Sequence, residues 1–173
     1  MSTLTGSFLV AKSSLKDPNF AKSVVLLLAH TSDGAYGVVV NRLLPVEGVP
    51  FPLFVGGPCE SPGLVLLHGH PDWTEEATEP DEDDTVVQRE IAPGIFLGNA
   101  SCWQRATASP SQESLRIRVF RNYAGWGPGQ LESELAAGAW GVSTANSEML
   151  FDTPVEDLWE RLAPPRLPEP SLN

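Results

Sequence analysis

Ser23-Val24-Val25-Leu26-Leu27-Leu28-Ala29-His30-Thr31-Ser32-Asp33-Gly34-Ala35-Tyr36-Gly37-Val38-Val39-Val40-Asn41-Arg42 is the stretch on which the architecture turns. Residues 23–29 are nearly continuous in valine and leucine, the pattern of a strand buried on both faces. The turn signal Ser32-Asp33-Gly34 follows, and 35–40 repeats the apolar, β-branched composition. Two such runs around a short Gly-containing loop predict an antiparallel hairpin.

Outward from this hairpin, short strands are expected at 7–10, 53–55, 64–67, 86–88, 95–97 and 115–120. The first two thirds of the chain are therefore mostly sheet. Two helices are expected in the last third. Thr153-Pro154-Val155-Glu156 combines a capping box with proline at the first helical position. Behind it Val155, Leu158, Trp159 and Leu162 form one apolar stripe that must pack on the sheet. The other helix is expected over 128–137, with Leu131 and Leu135 buried and Gly138 as its stop. Between the helices, 142–151 is expected to return to the sheet. Arg116 and Arg118 alternate with Ile117 and Val119, which places the arginines toward solvent.

The chain has 173 residues, enough for one core that buries about 70% of the unfolded surface. A single domain is expected over residues 1–163. Within it, 72–84 carries eight acids, and beyond it 164–173 is a proline-rich tail. Both segments are expected to be solvated. The 22 acidic and 11 basic residues give a net charge of −11, which disfavours unassisted binding to a phosphate backbone. The two cysteines, Cys59 and Cys102, lack the spacing of a zinc or redox pair and are expected to be reduced thiols. The N-terminal stretch does not have the pattern of a signal peptide. The longest apolar run, 24–29, is far short of a membrane span. A cytoplasmic location with no membrane contact follows as the expectation.

The segment richest in site-like chemistry is Tyr123-Ala124-Gly125-Trp126-Gly127-Pro128-Gly129-Gln130-Leu131, a glycine-rich passage from strand to helix flanked by two aromatics. Free N–H groups at such a helix start can hold an anion, and glycine lets a ligand approach the main chain. The same glycines can simply supply turn geometry while Tyr123 and Trp126 cover the core. The Lys-Ser/Thr pair of a phosphate loop is missing. Gly56-Gly57-Pro58-Cys59 forms a tight turn beside a thiol, but no cationic residue nearby in sequence activates it. Cys102 is no better placed. His68-Gly69-His70 could begin a metal site, yet Gly69 and Pro71 end the strand there, so no metal is expected. His30 is expected to be a hydrogen-bonding residue at a strand end. Asn41-Arg42 can present an amide and a guanidinium to a ligand, or satisfy nearby backbone carbonyls.

Four stretches together resemble the YqgE/AlgH family of bacterial proteins, over residues 4–162. They are Leu4-Thr5-Gly6-Ser7-Phe8-Leu9-Val10-Ala11; residues 20–30 running into Gly34-Ala35-Tyr36-Gly37-Val38-Val39-Val40-Asn41-Arg42; Val55-Gly56-Gly57-Pro58; and the Tyr123 to Leu131 passage. The resemblance implies an α+β fold with a mixed, strongly curved, partly barrel-like sheet and helices packed around it. It implies no agreed catalytic set and no cofactor. The family's usual label, transcriptional regulator, is a genetic description rather than a mechanism. The sequence departs from the family pattern at Cys59, where a small aliphatic is common, at Asn122, where glycine is common, and at Leu43, where proline often follows Asn-Arg. The acidic 72–84 segment looks like a local elaboration.

The leading expectation is a regulatory or ligand-binding module. Asn41, Arg42, Gly56, Gly57, Tyr123, Trp126 and Gln130 would converge on one concave polar site for an unknown small ligand. Direct DNA binding is disfavoured by the charge and by the absence of a basic recognition helix. Regulation would then pass through a ligand or a protein partner. The alternative is a hydrolase or transferase using Cys59 or His68, which requires a thiolate-stabilising or metal-completing neighbour supplied by the fold.

Overall fold

The computed structural model describes residues 4–12, 21–44, 53–70, 89–98 and 116–162. The expected strand at 86–88, the acidic segment 72–84, the tail 164–173 and Cys102 lie outside the described residues. Ten strands and three helices are present in the described chain: β1 (Ser7–Ala11), β2 (Val24–Thr31), β3 (Gly34–Val39), β4 (Leu43–Leu44), β5 (Leu53–Val55), β6 (Cys59–His68), β7 (Arg89–Ala92), β8 (Ile95–Leu97), β9 (Ile117–Trp126), α1 (Gln130–Ala136), β10 (Trp140–Thr144), α2 (Ser147–Phe151) and α3 (Val155–Leu162). No helix among them is long and apolar enough to cross a membrane.

The expected hairpin forms. β2 and β3 pair antiparallel from Val25↔Val39 to Thr31↔Gly34, with a bulge between Leu27 and Ala29. β2 is buried on both faces, because its alternate side chains enter two separate cores. Val24, Leu26 and Leu28 join Phe8, Val10, Phe54, Phe120, Leu158 and Trp159, while Val25 and Leu27 join Leu9, Trp126, Leu131 and Trp140. The stripe on α3 covers the first core, and the Trp159 indole N–H donates to the Ala11 carbonyl at 2.7 Å, tying that helix to β1. α1 covers the second core through Leu131, with Leu135 packed at its margin. Each fully buried Leu, Val or Phe contributes about 1.5–3 kcal/mol, so this two-sided burial makes β1–β3 the stable centre of the fold.

The strands run in the order β10-β1-β2-β3-β9-β6-β8-β7, with β5 parallel to β9 and β4 paired to β5. Every other pairing is antiparallel. The result is a curled, half-barrel sheet of the α+β class with few helices. β9 is what curls it. Its first half lies between β5 and β6, and its last three residues pair with β3 as Ala35↔Trp126, Tyr36↔Gly125 and Gly37↔Ala124. The change occurs at Asn122, which adopts φ 68°. That left-handed conformation costs roughly 1 kcal/mol for a residue with a Cβ. Asn122→Gly is therefore expected to raise stability by up to about 1 kcal/mol, measured as a higher urea midpoint. A lower midpoint would mean that the asparagine side chain compensates the strain.

Several local expectations are corrected. β9 continues through Trp126, so Tyr123 to Trp126 is strand and the turn is confined to 127–129. The segment expected to return to the sheet over 142–151 is strand only as far as Thr144. Asn146 then caps α2, its Oδ1 accepting the Met149 N–H at 2.9 Å. α3 begins at Val155, one residue after the position expected for proline. The Thr153 hydroxyl contacts Met149 Sδ at 4.0 Å. Arg118 is not a solvent-facing residue: its guanidinium lies over Phe54 and Phe151 and donates to the Phe151 carbonyl at 3.1 Å. α2 covers the face that strand alternation alone leaves open. Burial holds Arg118 below its ordinary value, opposed by Asp152 and reinforced by Arg116. Arg116 is partly exposed but paired, donating to both oxygens of Asp152 at 2.9 and 3.0 Å.

Candidate functional site

Where β3, β6 and β9 meet, Ala35, Tyr36, Cys59, Val65, Tyr123, Gly125 and Trp126 line a groove of about 640 Å³. Its shape follows from one missing side chain. Gly125 lies opposite Tyr36 in the ladder, and a Cβ there would stand 3.3 Å from Tyr123 Cε2. The Tyr123 ring thus occupies the space over Gly125. Tyr36 and Tyr123 then meet edge to face, with centroids 6.3 Å apart and planes at 86°. Tyr36 remains 40% exposed, unusual for a large aromatic in the middle of a paired strand. Cys59, opposite Tyr123 across β6 and β9, is half-buried in the groove wall.

Behind the groove the turn is held by side-chain bonds. Gln130 Oε1 accepts the Gly127 N–H at 3.0 Å, and Gln130 Nε2 donates to Glu134 at 3.2 Å. The Glu134 carboxylate also accepts both neighbouring indoles, Trp126 at 3.0 Å and Trp140 at 2.8 Å. The two indoles pack edge to face, 6.1 Å between centroids. Glu132 of α1 meets His30 of β2, Oε2 to Nε2 at 2.9 Å, a bond that holds the Glu132 carboxyl below its usual range. The Gly127 N–H that could have faced an anion is thus already occupied by Gln130.

The seven expected site residues divide. Tyr123 and Trp126 line the groove, and Gln130 braces the turn behind it. Gly56 and Gly57 sit flat against the bend of β9. Gly56 N–H donates to the Arg121 carbonyl at 2.7 Å, and a Cβ on Gly57 would stand 2.2 Å from the Tyr123 carbonyl oxygen. Asn41 and Arg42 lie beyond the far end of β3 from Ala35 and Tyr36. Asn41 Oδ1 accepts the Val24 N–H at 2.9 Å, its amide donates to the Lys22 carbonyl at 3.0 Å, and Arg42 donates to the Ala21 carbonyl at 3.3 Å. These two residues fix the entry to β2.

Ala35, Tyr36 and Val65 were not singled out from the sequence. For Tyr36 a signal existed: a lone large aromatic between Ala35 and Gly37, in a strand whose partner offers glycine. His68 is fully buried and stacked on Phe96, at the other end of β6 from Cys59. Among the described residues no group of three or more His, Cys, Asp or Glu side chains converges to hold a metal.

Comparison with known proteins gives a consistent result. The family model described as AlgH-like, DUF179, matches residues 8–165. A UPF0301 protein of Nitrosococcus oceani is 35% identical over 173 residues, covering 90% of this chain and 86% of the relative. A UPF0301 protein of Streptomyces coelicolor is 34% identical over 184 residues, covering 94% and 86%. The solution structure of the AlgH protein from Pseudomonas aeruginosa aligns with a TM-score of 0.66 at 26% identity, covering 92% of this chain and 87% of that one. A crystal structure of a Corynebacterium diphtheriae protein aligns with a TM-score of 0.71 at 24% identity, covering 97% and 91%.

Proposed function

The chain belongs to the AlgH-like family, and from that premise we propose that it is a cytoplasmic, non-enzymatic regulatory module whose groove between Tyr36 and Tyr123 takes a small, flat, largely apolar ligand. The observation that carries this reading is the half-exposed Tyr36 ring set edge to face against Tyr123 over the gap at Gly125. Aromatic walls around 640 Å³ are of the size and lining that bind ring systems. Among the described residues that line the groove none is a carboxylate, imidazole or amine that could act as a base for Cys59, which favours binding over hydrolysis or group transfer. His68, buried at the other end of β6, is poorly placed for the alternative.

Direct grip on DNA is also disfavoured. The net charge is −11, and Arg116, just before β9, and Arg118 on it are engaged internally by Asp152, Phe54 and Phe151. Regulation passes instead through ligand occupancy and a protein partner.

The test is a thermal-shift screen of planar aromatic compounds, followed by dissociation constants for wild type and Tyr36→Ala. A ligand that stacks on Tyr36 is expected to lose about tenfold in affinity in the variant, the equivalent of roughly 1.4 kcal/mol. Binding that is unchanged by the substitution would remove the groove from consideration.

A further inference from the structure

Tyr36 and Tyr123 stand with their planes at 86° and their centroids 6.3 Å apart, so they form a corner in which one bound body touches both rings. Tyr36 is half-exposed, and Trp126 is a third aromatic in the lining. Cys59 adds a polarisable sulfur, its Sγ 3.9 Å from where a Cβ on Gly125 would stand. The face of an aromatic ring carries the negative part of its quadrupole. A cation laid over that face within about 6 Å of the centroid is therefore attracted.

The charge around the corner has the same sign as the ring faces. The Trp126 indole N–H donates to Glu134 Oε1 at 3.0 Å, so a carboxylate is bonded to one of the aromatic residues of the lining. The Gly127 N–H, which could have drawn an anion, is held by Gln130 Oε1 at 3.0 Å, and Gln130 in turn donates to Glu134 at 3.2 Å. Within two residues of the described lining the sequence places Asp33, Glu60 and Arg121 as its charged side chains. Strand alternation turns Arg121 away. It pairs with Leu64, whereas Val65, which lines the groove, belongs to the next pair, with Phe120, and successive residues point to opposite faces. The net charge of −11 extends a field of the same sign over longer distances.

We propose that the ligand of this groove is a planar aromatic cation, a nitrogen heterocycle whose positive charge is spread over the ring. The proposal rests on the reading of the groove as a ligand site and names the chemical class that it takes. A quaternised ring nitrogen keeps the flat apolar contact of a neutral ring and adds the attraction of the two tyrosine faces. A delocalised charge is also weakly hydrated, so it gives up little on leaving water. An anion of the same outline meets the ring faces and the Glu134 side with the wrong sign.

The test compares dissociation constants for two compounds of one outline in mildly alkaline buffer. One is N-methylquinolinium; the other is lepidine, a quinoline with its methyl group on carbon, which is neutral there. The cation is expected to bind about tenfold more tightly. Tyr36→Leu keeps apolar bulk but removes the ring face, and is expected to cut that lead to about twofold or less while weakening the neutral compound by no more than about threefold. Equal affinities, a tighter neutral compound, or a lead that survives Tyr36→Leu would overturn the cation while leaving the groove as a site. Binding of neither compound, or binding of both that Tyr36→Ala leaves unchanged, would remove the groove and the cation together.

Discussion

Gly57→Ala is expected to unfold the protein or to lower its stability by at least about 4 kcal/mol. Gly57 lies at φ 156°, and a Cβ would stand 2.2 Å from the Tyr123 carbonyl oxygen, 2.3 Å from its carbon and 2.5 Å from the Ala124 nitrogen. All three are backbone atoms of the strand that curls the sheet, so no side chain can move aside. The neighbouring Gly56 meets the same strand, with a Cβ 2.4 Å from the Asn122 carbonyl oxygen. Two controls separate close approach from conformation. Gly129 has φ 75° but open space around it, so Gly129→Ala should cost only about 1 kcal/mol. Gly63 has open space and no left-handed φ, and Gly63→Ala should change stability by no more than about 0.5 kcal/mol. Urea denaturation of the three variants provides the ordering. A Gly57→Ala protein as stable as Gly129→Ala would mean that the approach of the Gly56-Gly57 turn to β9 is not a structural requirement.

Glu134→Ala is expected to destabilise by about 3 kcal/mol, from two buried indole N–H groups that each lose a charge-assisted bond. The carboxylate accepts Trp126 and Trp140 through the same oxygen and Gln130 through the other, so its loss loosens α1, the 127–129 turn and one groove wall together. Glu134→Gln keeps an oxygen for the indoles and should recover most of the loss. Urea unfolding supplies the energies, and the near-ultraviolet circular dichroism of the paired tryptophans reports the local change. A Glu134→Ala protein within about 0.5 kcal/mol of wild type would show that the indoles do not depend on this acceptor.

The parts of the fold that were legible in the sequence are those whose signal is local. Residues 23–29 are a nearly continuous valine and leucine run and 35–40 a second apolar run, around the turn Ser32-Asp33-Gly34. The stripe Val155, Leu158, Trp159 and Leu162 has only one packing solution. What escaped was decided by pairing between distant residues. Gly125, Gly127 and Gly129 look like one glycine-rich corner, yet the ladder with β3 holds Tyr123 to Trp126 extended. Asn146 ends β10 through a cap that a run of mixed polarity does not advertise. Arg118 looks solvated by alternation until Phe151 of α2 is laid over it. The candidate site was half legible for the same reason. Tyr123 and Trp126 stand out by type, while Tyr36 gains its meaning only from the register that sets it against Gly125. Asn41 and Arg42 were prominent as polar residues at a strand end, and the backbone groups of residues 21–24 are what they satisfy.

The most direct test of the groove is amide chemical-shift mapping on nitrogen-15-labelled protein with a planar aromatic compound from the thermal-shift screen. The account predicts that the largest perturbations cluster at Ala35, Tyr36, Cys59, Val65, Tyr123 and Gly125, and that they vanish in Tyr36→Ala. Perturbations centred instead on Asn41 and Arg42, or spread without a centre over the sheet, would contradict it.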